Sequence, residues 1–197
     1  MAKRLFDLII SLLGLLFLLP LFIVLAIWIK LDSNGSVFFR QVRVGLGGNL
    51  FKIHKFRTMH PASEKKGLLT IGRDTRITRI GHYLRKYKID ELPQLIDVFL
   101  GKMSLVGPRP EVEEFIDQYA EDVRKKILSV RPGITDLASI EMVDENEILN
   151  QYLDPQRAYI DIIMPVKEKY YLEYVSHNNL ILDIKIIFLT LKKVIFR

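Results

Sequence analysis

Leu8-Ile-Ile-Ser-Leu-Leu-Gly-Leu-Leu-Phe-Leu-Leu-Pro20-Leu-Phe-Ile-Val-Leu-Ala-Ile-Trp-Ile29 is an uncharged apolar run of 22 residues with a proline inside it. At about 1.5 Å per residue, a helix of this length reaches the roughly 30 Å of a hydrocarbon core. Pro20 lacks an N–H, so it frees the Leu16 carbonyl and bends or breaks the helix there. Each half alone is too short to span a bilayer. Lys3 and Arg4 precede the run, and Lys30, Arg40 and Arg43 follow it. Cytoplasmic flanks collect Lys and Arg, so neither flank has the character of a translocated one. The expectation is a re-entrant helix over residues 1–31 that enters the membrane, breaks at Pro20 and returns; a single-pass anchor is the alternative. A signal peptide does not fit, because the run is long and no small-residue cleavage site follows it.

About 166 residues remain beyond residue 31, enough for one domain with its own core. The net charge of +6 suits a surface facing anionic lipid or phosphate-bearing substrates. With no cysteine in the chain, disulfides, zinc–thiolate sites and cysteine nucleophiles are excluded. Nucleic acid is the usual partner of a basic chain, but no helix-turn-helix, zinc or RNA-recognition signature is present.

No repeat or low-complexity linker divides residues 32–197, so they read as one cytosolic domain. Val37-Phe-Phe-Arg-Gln-Val-Arg-Val and Leu50-Phe-Lys-Ile-His-Lys-Phe-Arg-Thr-Met read as two short strands around Gly45-Leu-Gly-Gly-Asn, a basic hairpin. Residues 61–75 are polar and glycine-containing, a mobile loop. Ile77, Ile80, Tyr83, Leu84 and Tyr87 recur at helical spacing. Asp90 reads as the N-cap of a helix through Phe99, with Pro93 in its first turn. Residues 111–130 and 155–175 are expected to be helical, the second kinked at Pro165. Residues 180–197 form an amphipathic helix that either lies on a bilayer with Lys192 and Lys193 at the headgroups or packs on the core. The fold class is therefore α/β and predominantly helical.

Four stretches carry candidate chemistry: Lys55-Phe-Arg-Thr-Met, Asp90-Glu-Leu-Pro-Gln, Met103-Ser-Leu-Val-Gly-Pro-Arg-Pro and Arg131-Pro-Gly-Ile-Thr. Asp90 and Glu91 are adjacent carboxylates at an expected helix start, where the helix end, Arg85 and Lys88 favour an ionised Asp90. Such a carboxylate attacks phosphorus or holds Mg²⁺ with its neighbour; a plain N-cap is the structural alternative. Gly107-Pro-Arg-Pro is a stiff turn that sets the direction of Arg109, suited to bidentate contact with phosphate. Arg131-Pro-Gly follows the same logic, or simply ends a helix. Lys55 and Arg57 alternate along a strand and so share a face, which binds phosphate, lipid headgroups or water.

In this order behind a proline-containing apolar helix, these motifs resemble the bacterial sugar transferases, the monotopic phosphoglycosyl transferases that start glycoconjugate assembly on a polyprenol phosphate. The resemblance also takes in Lys3-Arg4, Asp7, Phe51-Lys-Ile-His and Leu182-Asp-Ile-Lys-Ile, and is most specific from Asp90 to Pro110. It implies a membrane enzyme on the cytosolic face of the bacterial inner membrane, working in polysaccharide or exopolysaccharide biosynthesis. By this analogy Asp90 attacks the β-phosphate of a UDP-sugar, UMP leaves, and undecaprenyl phosphate takes up the phosphosugar. Glu91 assists as Mg²⁺ ligand or general base, Asp90 and Glu91 being the expected metal ligands. Arg85, Arg109, Arg131, Lys55 and Arg57 are the candidates for nucleotide and phosphates, with Arg85 and Arg109 ranked first. The sugar, the carrier length and the oligomeric state, a homodimer included, are left open.

Two positions depart from the family pattern. Leu19 stands where members often carry Ser before the breaking proline, and Asp136-Leu-Ala-Ser139 replaces the usual Gly-Leu-Ala-Gln. Two other functions compete: transfer of the bare sugar with loss of UDP, and a non-catalytic scaffold binding nucleotide sugar or lipid carrier.

Overall fold

The computed structural model describes residues 1–61, 69, 70, 72, 74–142 and 145–196. Most of the loop expected at 61–75 lies outside them. The chain opens with α1 (Ala2–Asp32), a single helix that keeps Pro20 in its interior. The expected division into two helices at Pro20 is not seen: the helix accommodates the proline and its one missing hydrogen bond. Among the described residues it is the one helix long and apolar enough to cross a membrane.

Both ends of α1 are tied to the same domain. Near its start, Lys3 Nζ donates to Asp183 Oδ2 (2.5 Å) and to the Val106 carbonyl (3.1 Å). Arg4 donates to the carbonyls of Val98 and Phe99, and buried Asp7 accepts the Leu105 N–H. Gly14 lets the helix approach closely, since a Cβ there would sit 3.2 Å from Leu95 Cδ1. Near its end, Asp32 accepts the Ile80 N–H, and Leu25 and Ile29 are buried in a cluster with Phe56, Ile80 and Leu84. Between these anchorages Leu12, Leu13, Leu16, Phe17, Leu19 and Val24 are exposed. An apolar surface of this kind calls for a non-aqueous environment.

The expected hairpin is present, split into two ladders. β1 (Phe38–Phe39) pairs antiparallel with β4 (Lys55–Phe56), and β2 (Val42–Val44) with β3 (Leu50–Lys52). Then come α2 (Arg79–Lys86), N-capped by Thr78, a 3₁₀ turn over Ile89–Glu91, and α3 (Gln94–Phe99). Asp90 therefore sits inside a 3₁₀ turn and is not the N-cap of α3. Two strands escaped sequence reading: β5 (Ser104–Val106) runs parallel to β6 (Gly133–Thr135). At Gly133 an added Cβ would meet the Gly107 nitrogen at 2.1 Å, so this close passage requires glycine.

The single helix expected over 111–130 is two, α4 (Glu113–Ile116) and α5 (Glu121–Ile127). α6 (Leu137–Glu141) is capped by Asp136, which accepts the Ser139 N–H and hydroxyl (2.9 and 2.6 Å). The unusual Asp136–Ser139 pair thus makes a local cap. After α7 (Glu145–Leu149), α8 (Pro155–Ala158) runs through a π turn over Tyr159–Ile163 into α9 (Met164–His177). The irregularity expected at Pro165 begins one turn earlier, as i→i+5 backbone closure. α10 (Leu180–Ile195) buries Asp183 and Ile186 while Ile181, Ile184, Phe188, Leu191 and Ile195 stay exposed. The protein is thus mostly helical, with a long apolar N-terminal helix and small sheets.

Candidate active site

The acid pair is positioned by an unusual backbone. After α2 ends, Lys88 takes a left-handed conformation (φ 56°, ψ 19°), the single positive φ among the described non-glycine residues. A long side chain there costs of order 1–2 kcal/mol. It turns the chain so that Asp90 and Glu91, each 8% exposed, line a large cleft. The cleft encloses about 1280 Å³ and is also bordered by Lys55, Arg85, Arg109 and Arg43. Pockets for drug-sized ligands typically hold about 300–1,000 Å³, so this one has room for a nucleotide sugar.

The two acids are treated differently. Glu91 is clamped: Lys55 Nζ donates to its Oε1 at 2.8 Å, and Arg109 grips both oxygens, with Nη1 to Oε2 at 3.1 Å and Nη2 to Oε1. Asp90 Oδ1 is buried and has no hydrogen-bond partner among the described residues. Burial alone would raise Glu91, but Arg109 and Lys55 outweigh it and hold its carboxyl well below the ordinary range. Asp90 moves the other way, raised by burial and by the charge of Glu91 against the pull of Lys55, Arg85 and Lys88. The expected pull of these cations on Asp90 is real but smaller than the cost of burying it. Lys55 is lowered to about 8, because desolvation of its ammonium exceeds the attraction of Glu91.

The remaining candidates separate. Arg85 reaches two hydroxyls, donating to Thr70 Oγ1 (2.7 Å) and Thr58 Oγ1 (3.4 Å), and borders the cleft. Arg57 reaches the cleft lining, but its guanidinium donates to the carbonyls of Ile29 (3.3 Å), Ser33 (2.7 Å) and Asn34 (2.6 Å). β4 ends at Phe56, so Lys55 and Arg57 do not share a face: one holds Glu91, the other the end of α1. Arg131 donates from Nε to the Gly101 carbonyl (2.9 Å) and is absent from the cleft lining. Both side chains are thus engaged by backbone carbonyls, and of the two only Arg57 borders the cleft.

Sequence reading missed several residues. Arg43, counted only as a flanking charge, borders the cleft and donates to the Pro110 carbonyl. Glu111, one residue beyond the Gly-Pro-Arg-Pro turn, is buried with Tyr159 and Lys167. His54 accompanies Lys55 on the same segment and is tied to Asp97 of α3 through Nδ1 and its backbone N–H, both at 2.8 Å. His54 was within a quoted motif; Asp97, six residues beyond Glu91, was the available hint.

A divalent cation needs oxygen donors, and no group of three His, Asp or Glu side chains is assembled for one among the described residues. Mg²⁺ typically takes one or two carboxylates and completes its shell with substrate phosphates and water. The unpartnered Asp90 oxygen fits that pattern, whereas Glu91 has both oxygens committed.

Comparison with known proteins adds an independent line. Residues 1–197 match the family described as Bacterial sugar transferase. The chain is 39% identical over 213 residues to the undecaprenyl-phosphate glucose phosphotransferase of Komagataeibacter xylinus, covering 100% of this chain and 36% of that one. It is 35% identical over 196 residues to the UDP-N-acetylgalactosamine-undecaprenyl-phosphate N-acetylgalactosaminephosphotransferase of Aeromonas hydrophila, at 98% and 43% coverage. It is 32% identical over 209 residues to the exopolysaccharide production protein ExoY of Sinorhizobium fredii, at 98% and 85%. The chain thus spans about two fifths of the first two relatives and most of the third. With its apolar helix, acid pair and Gly-Pro-Arg-Pro turn all inside a match that runs from the first residue to the last, the chain belongs to the bacterial sugar transferase family.

Proposed function

We propose that the protein transfers a sugar 1-phosphate from a UDP-sugar to undecaprenyl phosphate, or a similar polyprenol phosphate, releasing UMP. The observation that carries this reading is the contrast within the acid pair: one carboxylate clamped by two cations, the other buried with an unpartnered oxygen. A free carboxylate oxygen beside fixed cations is equipped to attack phosphorus. Asp90 forms a bond to the β-phosphorus, the bond to the bridging oxygen breaks, and UMP leaves with that oxygen. The polyprenol phosphate then attacks the same phosphorus and returns the carboxylate, leaving a polyprenol diphosphate sugar. Glu91, held far down its titration, is a weak base; it fixes Lys55 and Arg109 where phosphate charge accumulates. Mg²⁺, held by Asp90 and the diphosphate, would neutralise phosphate charge. The relatives described above carry names of undecaprenyl-phosphate sugar phosphotransferases and of exopolysaccharide production, which supports the same reading.

The membrane arrangement follows from the two anchorages of α1. Ends fastened to one domain favour a helix that stays in the cytoplasmic leaflet of the bacterial inner membrane, bent rather than divided at Pro20, with both ends on one side. Ile10 of α1 and Leu191 and Val194 of α10 border the cleft, giving a lipid tail an apolar approach to the polar centre. Because the chain lacks cysteine, Ala2→Cys and Asn34→Cys give a clean background for labelling. Both thiols are expected to react from the cytoplasmic side alone; reaction from opposite sides would establish a spanning helix.

Incubation of the purified protein with Mg²⁺, polyprenol phosphate and a panel of UDP-sugars is expected to release UMP. UDP as product would instead mean transfer of the bare sugar, and no turnover would leave a binding scaffold. The rate has two pH limits. It falls on acidification as Asp90 is protonated, at a pH above the ordinary Asp range. It falls again above a pH of about 8, as Lys55 loses the charge that faces Glu91 and the phosphates. Lys55→Arg is expected to remove the alkaline limit alone; an unchanged alkaline limit would exclude Lys55 as its source.

A further inference from the structure

The cleft holds a second polar cluster that the transfer chemistry does not use. Glu111, Glu145, Tyr159 and Lys167 all border it. Lys167 Nζ donates to the Tyr159 hydroxyl (2.9 Å) and ion-pairs with Glu145 Oε2 (2.9 Å), and the Tyr159 hydroxyl donates to Glu111 Oε1 (2.8 Å). Arg43 lies 3.8 Å from the other oxygen of Glu111. Lys167, Tyr159 and Glu111 are each at most 5% exposed, while Glu145 is the more accessible member, its side chain 26% exposed.

Two features argue that this cluster recognises a ligand. A buried ionic network is a poor stabiliser, since well-packed apolar residues of similar volume do as well or better. The backbone is also adapted to form it. Eight residues of regular helix advance about 800°, which would leave Tyr159 and Lys167 about 80° apart around the axis. The π turn over Tyr159–Ile163 absorbs an extra residue and brings the two side chains together. Such turns are concentrated at functional sites.

Its position and charge indicate the ligand. Arg109 clamps Glu91, and Glu111 is two residues further on, so the cluster begins within about 7 Å of the phosphate-binding cations along the chain. Two carboxylates, an ammonium and a guanidinium nearly cancel in charge, and the carboxylates would repel a phosphate. A near-neutral mixture of donors and acceptors suits an uncharged polyhydroxylated ring. Resting on the proposed transfer reaction, we infer that Glu145 and Lys167, braced by Tyr159 and Glu111, read the hydroxyl pattern of the donor's sugar and determine which UDP-sugar is accepted.

The test compares kcat/KM for UDP-glucose against UDP-galactose, and for UDP-N-acetylglucosamine against UDP-N-acetylgalactosamine, in the wild-type chain, Glu145→Gln and Lys167→Met. UMP binding by calorimetry serves as the sugar-free control. The epimer ratio is expected to change at least about tenfold in both variants while UMP affinity stays at the wild-type value. Glu145 is accessible enough that its variant carries the test if Lys167→Met fails to fold. An unchanged ratio overturns the inference, as does a loss of UMP affinity in step with turnover, which would make the cluster a nucleotide or structural element. A wild-type chain that releases UMP from no donor overturns the transfer reaction and this inference with it. Wild-type turnover with unshifted variants overturns the inference alone.

Discussion

Asp90→Asn is expected to abolish UMP release and raise the melting temperature, whereas Glu91→Gln lowers both. The opposite signs follow from how the fold treats two neighbouring acids. Asp90 is raised above its ordinary value, so between that value and the raised one the folded state binds more protons than the unfolded chain. Stability therefore falls as pH rises through this window, and the ionised group costs stability at neutral pH. An amide of the same shape removes that cost, a gain of about 1 kcal/mol, or roughly 2–4 °C for a chain of this size. On the proposed mechanism the variant lacks its attacking carboxylate, so kcat is expected to fall by at least about 10⁴-fold.

Glu91 is held below its ordinary value, so its contribution is present at neutral pH and is lost as pH falls through the folded value. Glu91→Gln leaves Lys55 and Arg109 partly buried without their counter-charge, an expected loss of about 3–5 kcal/mol. Displaced cations then lower the rate by about 10²–10³-fold. Thermal melts and UMP release on both variants check the pair. A melting temperature that falls for Asp90→Asn would show that its carboxylate has a partner in the folded protein.

The motifs made the right elements visible but not their connections. Lys55 and Arg109 were legible as cations on a strand and a stiff turn. That both would be spent on Glu91, leaving Asp90 free, depends on where β4 and the Gly107 turn meet in space. The N-cap expected at Asp90 failed because Lys88 is left-handed, a conformation that sequence rules assign to glycine. Arg57 was placed beside Lys55 by strand alternation, which no longer applies once β4 ends at Phe56. The Tyr159–Lys167 pair was hidden because a π turn changes the helical period from which facing residues are read. Asp136 stood out only as a departure from the family pattern, whereas its oxygens cap α6.

Arg57→Ala is expected to loosen the whole link between the membrane helix and the acid pair. The last turn of any helix leaves carbonyls without partners. At the end of α1, Arg57 donates to the Ile29 carbonyl, which also accepts the Ser33 N–H, and to the carbonyls of Ser33 and Asn34 just beyond the helix. Its charge also faces the negative end of a helix 31 residues long. Hydrogen bonds from a charged group contribute about 1.5–3 kcal/mol each, so losing three that are not independent should cost about 3 kcal/mol or more. Membrane association survives, because the exposed apolar faces of α1 and α10 are untouched. Activity does not, because Arg57 and Lys55 lie two residues apart on one rigid segment, so a shift at the helix end displaces the cation that holds Glu91. Arg57→Lys, with a single ammonium, should recover only part of the stability. Co-sedimentation with vesicles, thermal melting and UMP release separate these effects. If Arg57→Ala melts like the wild type but binds UDP-sugar weakly, the guanidinium belongs to the phosphate site and the capping role is wrong. If stability and rate fall together while vesicle binding persists, the end of the membrane helix positions the catalytic centre.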